Sequence, residues 1–200
     1  MKKGFVLITL TGWMTLFAYD AAHLRKAIDE KECIGCDLRG ANLAKTDFSG
    51  GDFHGSDFSG ADIRESVFEM GDLNDCNLSG AHAEGTLFWK ASMERSDLRG
   101  IKAKGANFKG VHLNESDLSR ADVRDAKMWK TDFTDAVLIK TDLRGSEIGG
   151  SKFIRNDLRS ANLKDTLLWQ TSFSEVIMTK AQCAHAKKEE AVLGTAVKCR

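Results

Sequence analysis

The sequence predicts an all-β solenoid built from five-residue units, and three observations support this fold class. From Leu38 to Cys183, every residue whose number ends in 3 or 8 is apolar, and every phenylalanine after residue 18 falls on this position. Two residues earlier the chain mostly carries Ala, Ser, Thr, Gly or Cys, and the residue between these two is often Asp or Asn. No insertion or deletion shifts the register. A repeat this short indicates units that bury their apolar side by stacking on their neighbours.

The interval of five fits neither a strand, whose period is two, nor an α-helix, whose period is 3.6. Each unit therefore supplies one short extended side and one corner, with a large and a small residue pointing inward. The outward apolar residues indicate how many units make one turn. They form two sets, and within each set the residue numbers differ by multiples of 20. These sets are Trp89, Trp129 and Trp169, and Val67, Leu87 and Leu167. Four units per turn place all six on one side of the coil, whereas three units scatter them.

Units such as ANLAK, TDFSG, ADIRE and ANLKD resemble the A-(D/N)-L-x-x consensus of the pentapeptide-repeat family. The resemblance extends over residues 34–183, which hold 30 units in register. It implies a right-handed quadrilateral β-helix of about 7.5 coils with short helical caps. At a strand spacing of about 4.8 Å, such a rod is roughly 36 Å long.

Residues 1–18 are predicted to form a signal peptide. Lys2 and Lys3 precede the uncharged run 4–18, which is too short for a comfortable membrane span. The expected location is therefore the periplasm or the outside of the cell. The alternative is an uncleaved segment that anchors the chain to the membrane.

The segments on either side of the repeat are predicted to cap the β-helix, because its ends would otherwise expose unpaired strand edges. In residues 19–33, Asp20 can begin a helix that places Leu24 and Ile28 on one face. Residues 184–200 are predicted to form the second cap. Its apolar residues are Ala191, Val192 and Leu193. Either segment could instead be a partner-binding tail.

Four of the five cysteines are predicted to form disulfide bonds, because export implies an oxidising compartment. Cys33 and Cys36 both turn inward across the first corner. Cys183 occupies the last large position, and Cys199 lies in the tail that would fold over it. We therefore expect the bonds Cys33–Cys36 and Cys183–Cys199. Cys76 lies two coils from Cys36, about 10 Å, so it should be a buried free thiol.

The sequence predicts no enzyme, no cofactor and no metal site. The five histidines fall on different positions of the coil, and no phosphate-binding loop or nucleophile elbow is present. The aspartates follow from the repeat, where a short acceptor can bond the corner N–H groups. A redox or metal role for Cys33 and Cys36 lacks the βαβ context of a thioredoxin motif.

A strip of outward apolar residues is the candidate interface. It comprises Val67, Leu87, Trp89, Trp129, Leu167 and Trp169, with the Trp residues expected about 10 Å apart. Exposed aromatic patches usually mark binding sites, although these rings could also lie flat on their own coil or be covered by a terminal segment. The predicted function is a non-enzymatic protein-binding or scaffolding rod in the cell envelope. Its expected partner is a protein, either another chain or a second copy in a homodimer. Membrane contact is expected only if the N-terminal segment stays uncleaved.

Charge gives a competing interpretation. Lys+Arg and Asp+Glu balance at 29 each, so no nucleic-acid partner is expected. The charge is nevertheless segregated: residues 34–85 carry ten acidic and three basic side chains, and residues 86–183 carry 13 and 17. This could orient a partner or reflect drift on a solvated surface. The family resemblance also includes acidic rods that imitate DNA and bind topoisomerases, which is the alternative function. The basic C-terminal coils and the export signal count against it.

Overall fold

The computed structural model describes residues 19–200, and it confirms the predicted fold. The chain winds into a right-handed quadrilateral β-helix in which residues 20 positions apart pair in parallel. In one column, Asp47 pairs with Val67, Val67 with Leu87, and Leu87 with Asn107. Four five-residue sides therefore make one coil. The predicted signal peptide, residues 1–18, lies outside the described residues.

Most sides of the described coils pair through a single bridge residue, and longer strands appear near the C-terminal end. The helices and strands in chain order are α1 (Ala21–Glu30), β1 (Lys152–Ile154), β2 (Ser172–Ser174), β3 (Ile177–Met178), α2 (Lys180–Lys188), β4 (Val192–Leu193) and β5 (Lys198–Cys199). Strands β1, β2 and β4 form one parallel sheet, and β3 and β5 form another. The two helices cover the ends of the rod.

The large side chains of the repeat fill the centre of the rod. Phe53, Phe88 and Leu118 have no exposed surface. Some of the rings stack along the axis: Phe68, Phe88 and Phe108 follow one another with centroid distances of 5.7 and 4.9 Å. Burial of these apolar side chains, with the added stacking of the rings, is the main source of stability.

Several of the small inward residues carry a hydroxyl or amide group that donates to a main-chain carbonyl, often in the preceding coil. Thr86 Oγ1 donates to the carbonyl oxygen of Ile63 at 2.7 Å. Asn156 is a larger member of this set, and its Nδ2 donates to the carbonyl oxygens of Phe133 and Ala136, both at 2.8 Å. These bonds allow polar side chains to be buried here, because a buried donor without a partner would be costly.

A residue with positive φ turns the chain at every corner from Gly35 to Glu175, except at Ser160. The carbonyl of the large residue accepts a hydrogen bond from the N–H three residues later, as Phe48 O does from Gly51 N at 3.0 Å. Positive φ at the third residue of such a turn is typical of type II turns. Gly therefore suits this position, although many corners carry Lys, Asp, Glu or Arg.

Substitution of Gly80 by Val is expected to lower the free energy of unfolding by about 1–2 kcal/mol. Gly80 has a φ of +65°, and a Cβ placed on it would meet no atom within 4 Å. The cost would thus come from backbone strain, not from collision. Urea denaturation measures it, with Gly80→Asn as the control because Asn tolerates the left-handed region. Equal losses in the two variants would contradict this explanation.

Helix α1 closes the N-terminal end. Asp20 begins it, as predicted, by accepting hydrogen bonds from Ala22 N at 2.7 Å and His23 N at 3.4 Å. Leu24 packs on the core and Ala27 is fully buried. The expectation that Ile28 shares this inward face is wrong, since its side chain is 46% exposed. Ala27 occupies the inward position three residues after Leu24, and the next residue points away from the rod.

Helix α2 and the tail close the C-terminal end. Thr179 caps the helix, and Gln182 Nε2 donates to the carbonyl oxygen of Leu158 at 2.6 Å. The last large position of the repeat, Cys183, lies inside this helix. The tail then returns to the coil: Val192 pairs with Ser172 in parallel, so β4 forms part of a further coil. The tail therefore continues the β-helix beyond the helix that interrupts it.

Candidate functional site: the Trp face

One side of the rod carries all six predicted interface residues. We call it the Trp face and define it by the outward residues on either side of the large residues Phe48, Phe68, Phe88, Phe108, Met128, Ile148 and Leu168. Because the columns repeat every 20 residues, Val67 and Leu87 lie in one column with Leu167. The second column contains Trp89, Trp129 and Trp169. The structure thus brings the six residues to a single face.

Exposed apolar side chains lie at both ends of the Trp face. Leu167 is 49% exposed and Trp169 is 47% exposed. At the other end of the strip, Met70 is 59% exposed at the corner beside Val67. Met70 is not among the six residues predicted from the sequence, because those six lie on the sides of the coil, whereas Met70 occupies a corner position. Its signal was an apolar residue where the repeat usually has Gly or a charge.

Trp129 leans over the next coil. A Cβ on Gly149 would lie 2.4 Å from the Trp129 ring, so the ring occupies the space that a side chain there would need. Its Nε1 donates to Glu147 Oε2 at 2.9 Å. The ring centroids of Trp129 and Trp169 are therefore 6.4 Å apart, closer than the two-coil spacing predicted from the sequence. Gly149 allows this approach, which position counting alone could not reveal.

Trp89 is half-buried, and a cation lies over it. Lys90 Nζ is 4.5 Å from the ring centroid, within the range of a cation–π interaction. The next residue in the column is Lys109, which is exposed. Trp89 and Trp129 are thus partly covered by their own neighbours, as one sequence-based alternative held, while Leu167 and Trp169 present apolar surface to solvent.

Several charged residues on the Trp face have no ion-pair partner among the described residues, whereas Asp47 has one. Within residues 19–200, Glu69, Lys109 and Lys127 form no ion pair. Asp47 contacts Lys31 Nζ at 2.9 Å, and its side chain remains 63% exposed. Hydrogen bonds from Ser49 hold the pKa of Asp47 well below its usual range, so this carboxylate stays ionised. The face therefore combines apolar side chains with acidic residues at its N-terminal end and lysines at its middle.

Several aspartates on the other faces are neutralised by arginines two residues later. Arg124 Nε donates to Asp122 Oδ1 at 2.8 Å and its Nη2 to Oδ2 at 2.7 Å. Such bidentate pairs have strong directionality. The hydrogen bonds from Arg124 lower the pKa of Asp122. The same arrangement occurs in Asp37–Arg39, Asp62–Arg64, Asp97–Arg99, Asp142–Arg144 and Asp157–Arg159.

A second exposed apolar pair, absent from the sequence prediction, lies on the opposite side of the rod. Val137 is 40% exposed and Ile139 is 51% exposed, and they flank the large residue Leu138. The pair occupies one coil and does not continue along its columns, where Asp117 and Asp157 precede and follow Val137. It is a small patch, and it provides a natural control for experiments on the Trp face.

The cysteines stabilise the two ends. Disulfide bonds join Cys33 to Cys36 and Cys183 to Cys199, the same pairs that the sequence analysis selects. Cys76 is a buried free thiol, and burial raises its pKa to about 12. Its Sγ donates to the carbonyl oxygen of Phe53 at 3.0 Å. A thiol with such a pKa is a poor nucleophile near neutral pH.

Loss of the Cys183–Cys199 bond is expected to release the tail. The bond closes a loop with a sequence separation of 16, so removing it should cost about 3 kcal/mol. The double substitution Cys183→Ser and Cys199→Ser should therefore increase amide hydrogen exchange in 191–200 and leave the exchange of 40–130 unchanged. Cys33→Ser with Cys36→Ser is the control. Unchanged exchange of the tail in the first variant would contradict the prediction.

Within residues 19–200, no group of three His, Cys, Asp or Glu side chains is arranged to hold a metal ion. Two of the histidines make structural contacts: His23 Nδ1 accepts a hydrogen bond from Asp37 N at 3.0 Å, and His185 Nε2 lies 3.0 Å from the Thr166 carbonyl oxygen.

Across residues 19–200, no helix has the length and apolar character needed to span a bilayer.

Comparison with known proteins identifies the family. A sequence model of pentapeptide repeats matches eight copies, in residues 32–69, 72–110, 116–153 and 157–187. The chain belongs to the pentapeptide-repeat family. The repeat units themselves predict the same family.

Solved structures of other pentapeptide-repeat proteins share the fold. A trypsin-treated variant of QnrB1, a plasmid-mediated fluoroquinolone resistance protein, is 17% identical with a TM-score of 0.53, over 84% of this chain and 91% of that one. Rfr23 from the cyanobacterium Cyanothece 51142 is 16% identical with a TM-score of 0.42, over 86% and 98%. No curated protein sequence matches the chain. At these sequence identities the similarity shows a shared fold and does not indicate which partner this chain binds.

Proposed function

We propose that this pentapeptide-repeat protein is a non-enzymatic rod that binds another protein through its Trp face. The observation that carries the proposal is the exposed apolar strip, with Leu167 and Trp169 half-exposed at one end and Met70 at the other. The core of the rod is filled, so these side chains are not needed for packing. Tryptophan is among the residues that contribute most to protein interfaces when it is buried there.

The surroundings of the strip favour a protein partner. Lys90, Lys109, Lys127 and Lys130 lie among the Trp residues, so the face offers cations next to apolar surface. Protein interfaces combine an apolar centre with a polar rim in this way. The rigidity of a closed β-helix adds to affinity, because little conformational freedom is lost when a preformed surface binds.

We propose a location outside the cytoplasm, in the periplasm or the secreted fraction. Support comes from the N-terminal run of uncharged residues and from two disulfide bonds, which persist in oxidising compartments. Fractionation of cells that express the chain with its own N-terminus, followed by mass measurement, tests this. A cytosolic chain with reduced cysteines would overturn it, and a chain of full mass in the membrane would indicate an uncleaved anchor.

The alternative is a rod that imitates DNA and binds a topoisomerase. The reason to consider this alternative is that the fold is similar to that of QnrB1, a fluoroquinolone resistance protein. Imitation of a duplex needs dense negative charge, which the Asp–Arg pairs reduce: Asp62, Asp122 and Asp142 are each bonded to an arginine. The middle of the Trp face is also basic. Protein binding through the Trp face is therefore favoured.

Substitution of Trp89, Trp129 and Trp169 by Ser is expected to abolish partner capture and leave the fold intact. Cross-linking in the producing cells followed by affinity purification measures capture, and circular dichroism measures folding. The matched control replaces Val137 and Ile139 by Ser on the opposite side of the rod, and it should capture the partner normally. Capture by the triple variant at the wild-type level would rule out the Trp face as the binding surface.

A further inference from the structure

We propose that the partner of the Trp face is a second copy of this chain, antiparallel to the first, with a two-fold axis passing Trp89. The proposal rests on the proposed function, because it names the partner of the same face. A two-fold interface joins one surface to itself, so every contact occurs twice. The order of charges along the face selects the position of the axis.

Three successive coils place Glu69, Trp89 and Lys109 in one column. Glu69 lies one coil before Trp89 and Lys109 one coil after it, each about 4.8 Å away along the rod. A two-fold axis that crosses the face at Trp89, at right angles to the rod, keeps each column opposite itself and reverses the order of the coils. Glu69 then faces Lys109 of the second copy. Both side chains lack an ion-pair partner within residues 19–200 of their own chain.

The neighbouring column gives a second pair of opposite charges about the same axis. Asp47 lies two coils before Leu87, and Lys127 lies two coils after it. Asp47 therefore faces Lys127 of the second copy, and its 63% exposed side chain is accessible. At the same level, Trp129 faces Ser49, a small residue that leaves room for the ring. Four ion pairs and two Trp contacts thus result from one symmetry operation.

Other arrangements bring like charges together. An antiparallel axis at Asn107 places Lys90 opposite Lys130 of the second copy. An axis midway between the coils of Asn107 and Lys127 places Lys109 beside Lys127 and Lys130. A parallel dimer aligns the two acidic N-terminal thirds, residues 34–85, with each other. Juxtaposed like charges disfavour association. The axis at Trp89 brings together one such pair, Lys90 with its own copy, against four attractive pairs, so it is the most favourable of these arrangements.

The C-terminal part of the strip meets the N-terminal cap of the second copy. Leu167 and Trp169 lie four coils from the axis, about 19 Å, and so extend past the coil that contains Asp47. Helix α1 covers that end of the rod, and its C-cap residue, Lys31, contacts Asp47. Ile28 on this helix is 46% exposed. The inward face of α1 does not account for that apolar side chain, whereas contact with Trp169 of the second copy does.

Sedimentation of the full chain, expressed with its own N-terminus, tests the proposal. We expect a dimer whose dissociation constant increases with salt concentration. Glu69→Lys and Lys109→Glu should each weaken the dimer roughly tenfold or more, because each change replaces two attractive contacts by two repulsive ones. The double variant should restore the dissociation constant to within about threefold of the wild-type value. Lys140→Glu, on the far side of the rod, should have no effect.

The outcomes separate this proposal from the proposed function. A chain that stays monomeric at all concentrations overturns the second copy as partner. If the triple Trp variant of that monomer still loses capture of another protein, the proposed function stands. If both single charge variants weaken the dimer and the double variant does not restore it, the antiparallel register is overturned. Circular dichroism shows that each variant is folded before its association is compared.

Discussion

A chain with one alanine inserted between Asp117 and Leu118 is expected not to fold. The insertion point lies on a side of the coil, where the main chain is bonded in both directions: Asp117 N donates to Ser96 O at 3.0 Å, and Leu118 N donates to Val137 O at 2.8 Å. An extra residue would shift every later unit by one position. Asp122 would then occupy the inward place of Val123, and the same exchange would recur in each following unit.

The expected loss exceeds about 5 kcal/mol, which is the whole stability of many domains. Burial of a single unpaired carboxylate already carries a large cost, and here several would be buried together. Circular dichroism and resistance to trypsin measure the result. A folded variant with the thermal stability of the wild type would contradict the proposed register of four units per coil.

The matched control inserts a whole unit, Ala-Asp-Leu-Ser-Gly, between Arg120 and Ala121. This insertion preserves the alternation of small and large inward residues, so the chain should fold. It rotates all later columns by one side of the square, which moves Trp129 and Trp169 off the face that carries Trp89. The variant should therefore be stable and fail to bind the partner, which separates folding from function in a single molecule.

Substitution of Phe88 by Ala is expected to lower the free energy of unfolding by about 3–5 kcal/mol. Phe88 is fully buried, and its ring lies between those of Phe68 and Phe108, at 5.7 and 4.9 Å. The variant would lose the apolar burial and both stacking contacts, and the closed coil gives the neighbours little freedom to fill the cavity. Denaturation by guanidinium measures the change.

Phe88→Leu is the matched control and should cost less than half as much, because it keeps most of the apolar volume. Thr86→Ser, two residues earlier, retains the hydroxyl that donates to Ile63 O and should cost less still. If Phe88→Ala and Phe88→Leu destabilise the rod equally, the ring itself, rather than the filled volume, would be the important feature.

The sequence predicted the fold well because the repeat is read directly from residue types. Every large inward position from Leu38 to Cys183 is apolar, and the 20-residue period follows from the spacing of Trp89, Trp129 and Trp169. Asp20 as the helix cap also follows from residue type alone. Predictions from residue type are reliable when each unit resembles the next, since the same five-residue register then applies to the whole repeat.

The sequence was less informative where a contact depends on packing between different segments. The close approach of Trp129 and Trp169 requires Gly149 to leave space for a ring. The exposure of Ile28 depends on the rotation of helix α1 about its own axis. Because Leu24 and Ala27 are the residues that pack inward, the helix is rotated so that Ile28 faces solvent. The return of the tail to pair with Ser172 likewise depends on contacts made after helix α2.

The regular ladder has a consequence for how the surface can change. In each outward column, successive residues are separated along the rod by one interstrand distance, about 4.8 Å. A single substitution changes one residue of the column without altering this spacing. Because outward residues such as Lys109 contribute little to the core, binding preferences can diverge by point mutation while the rod stays intact. A partner that contacts several residues of one column therefore meets side chains whose main-chain attachment points are spaced by multiples of that distance.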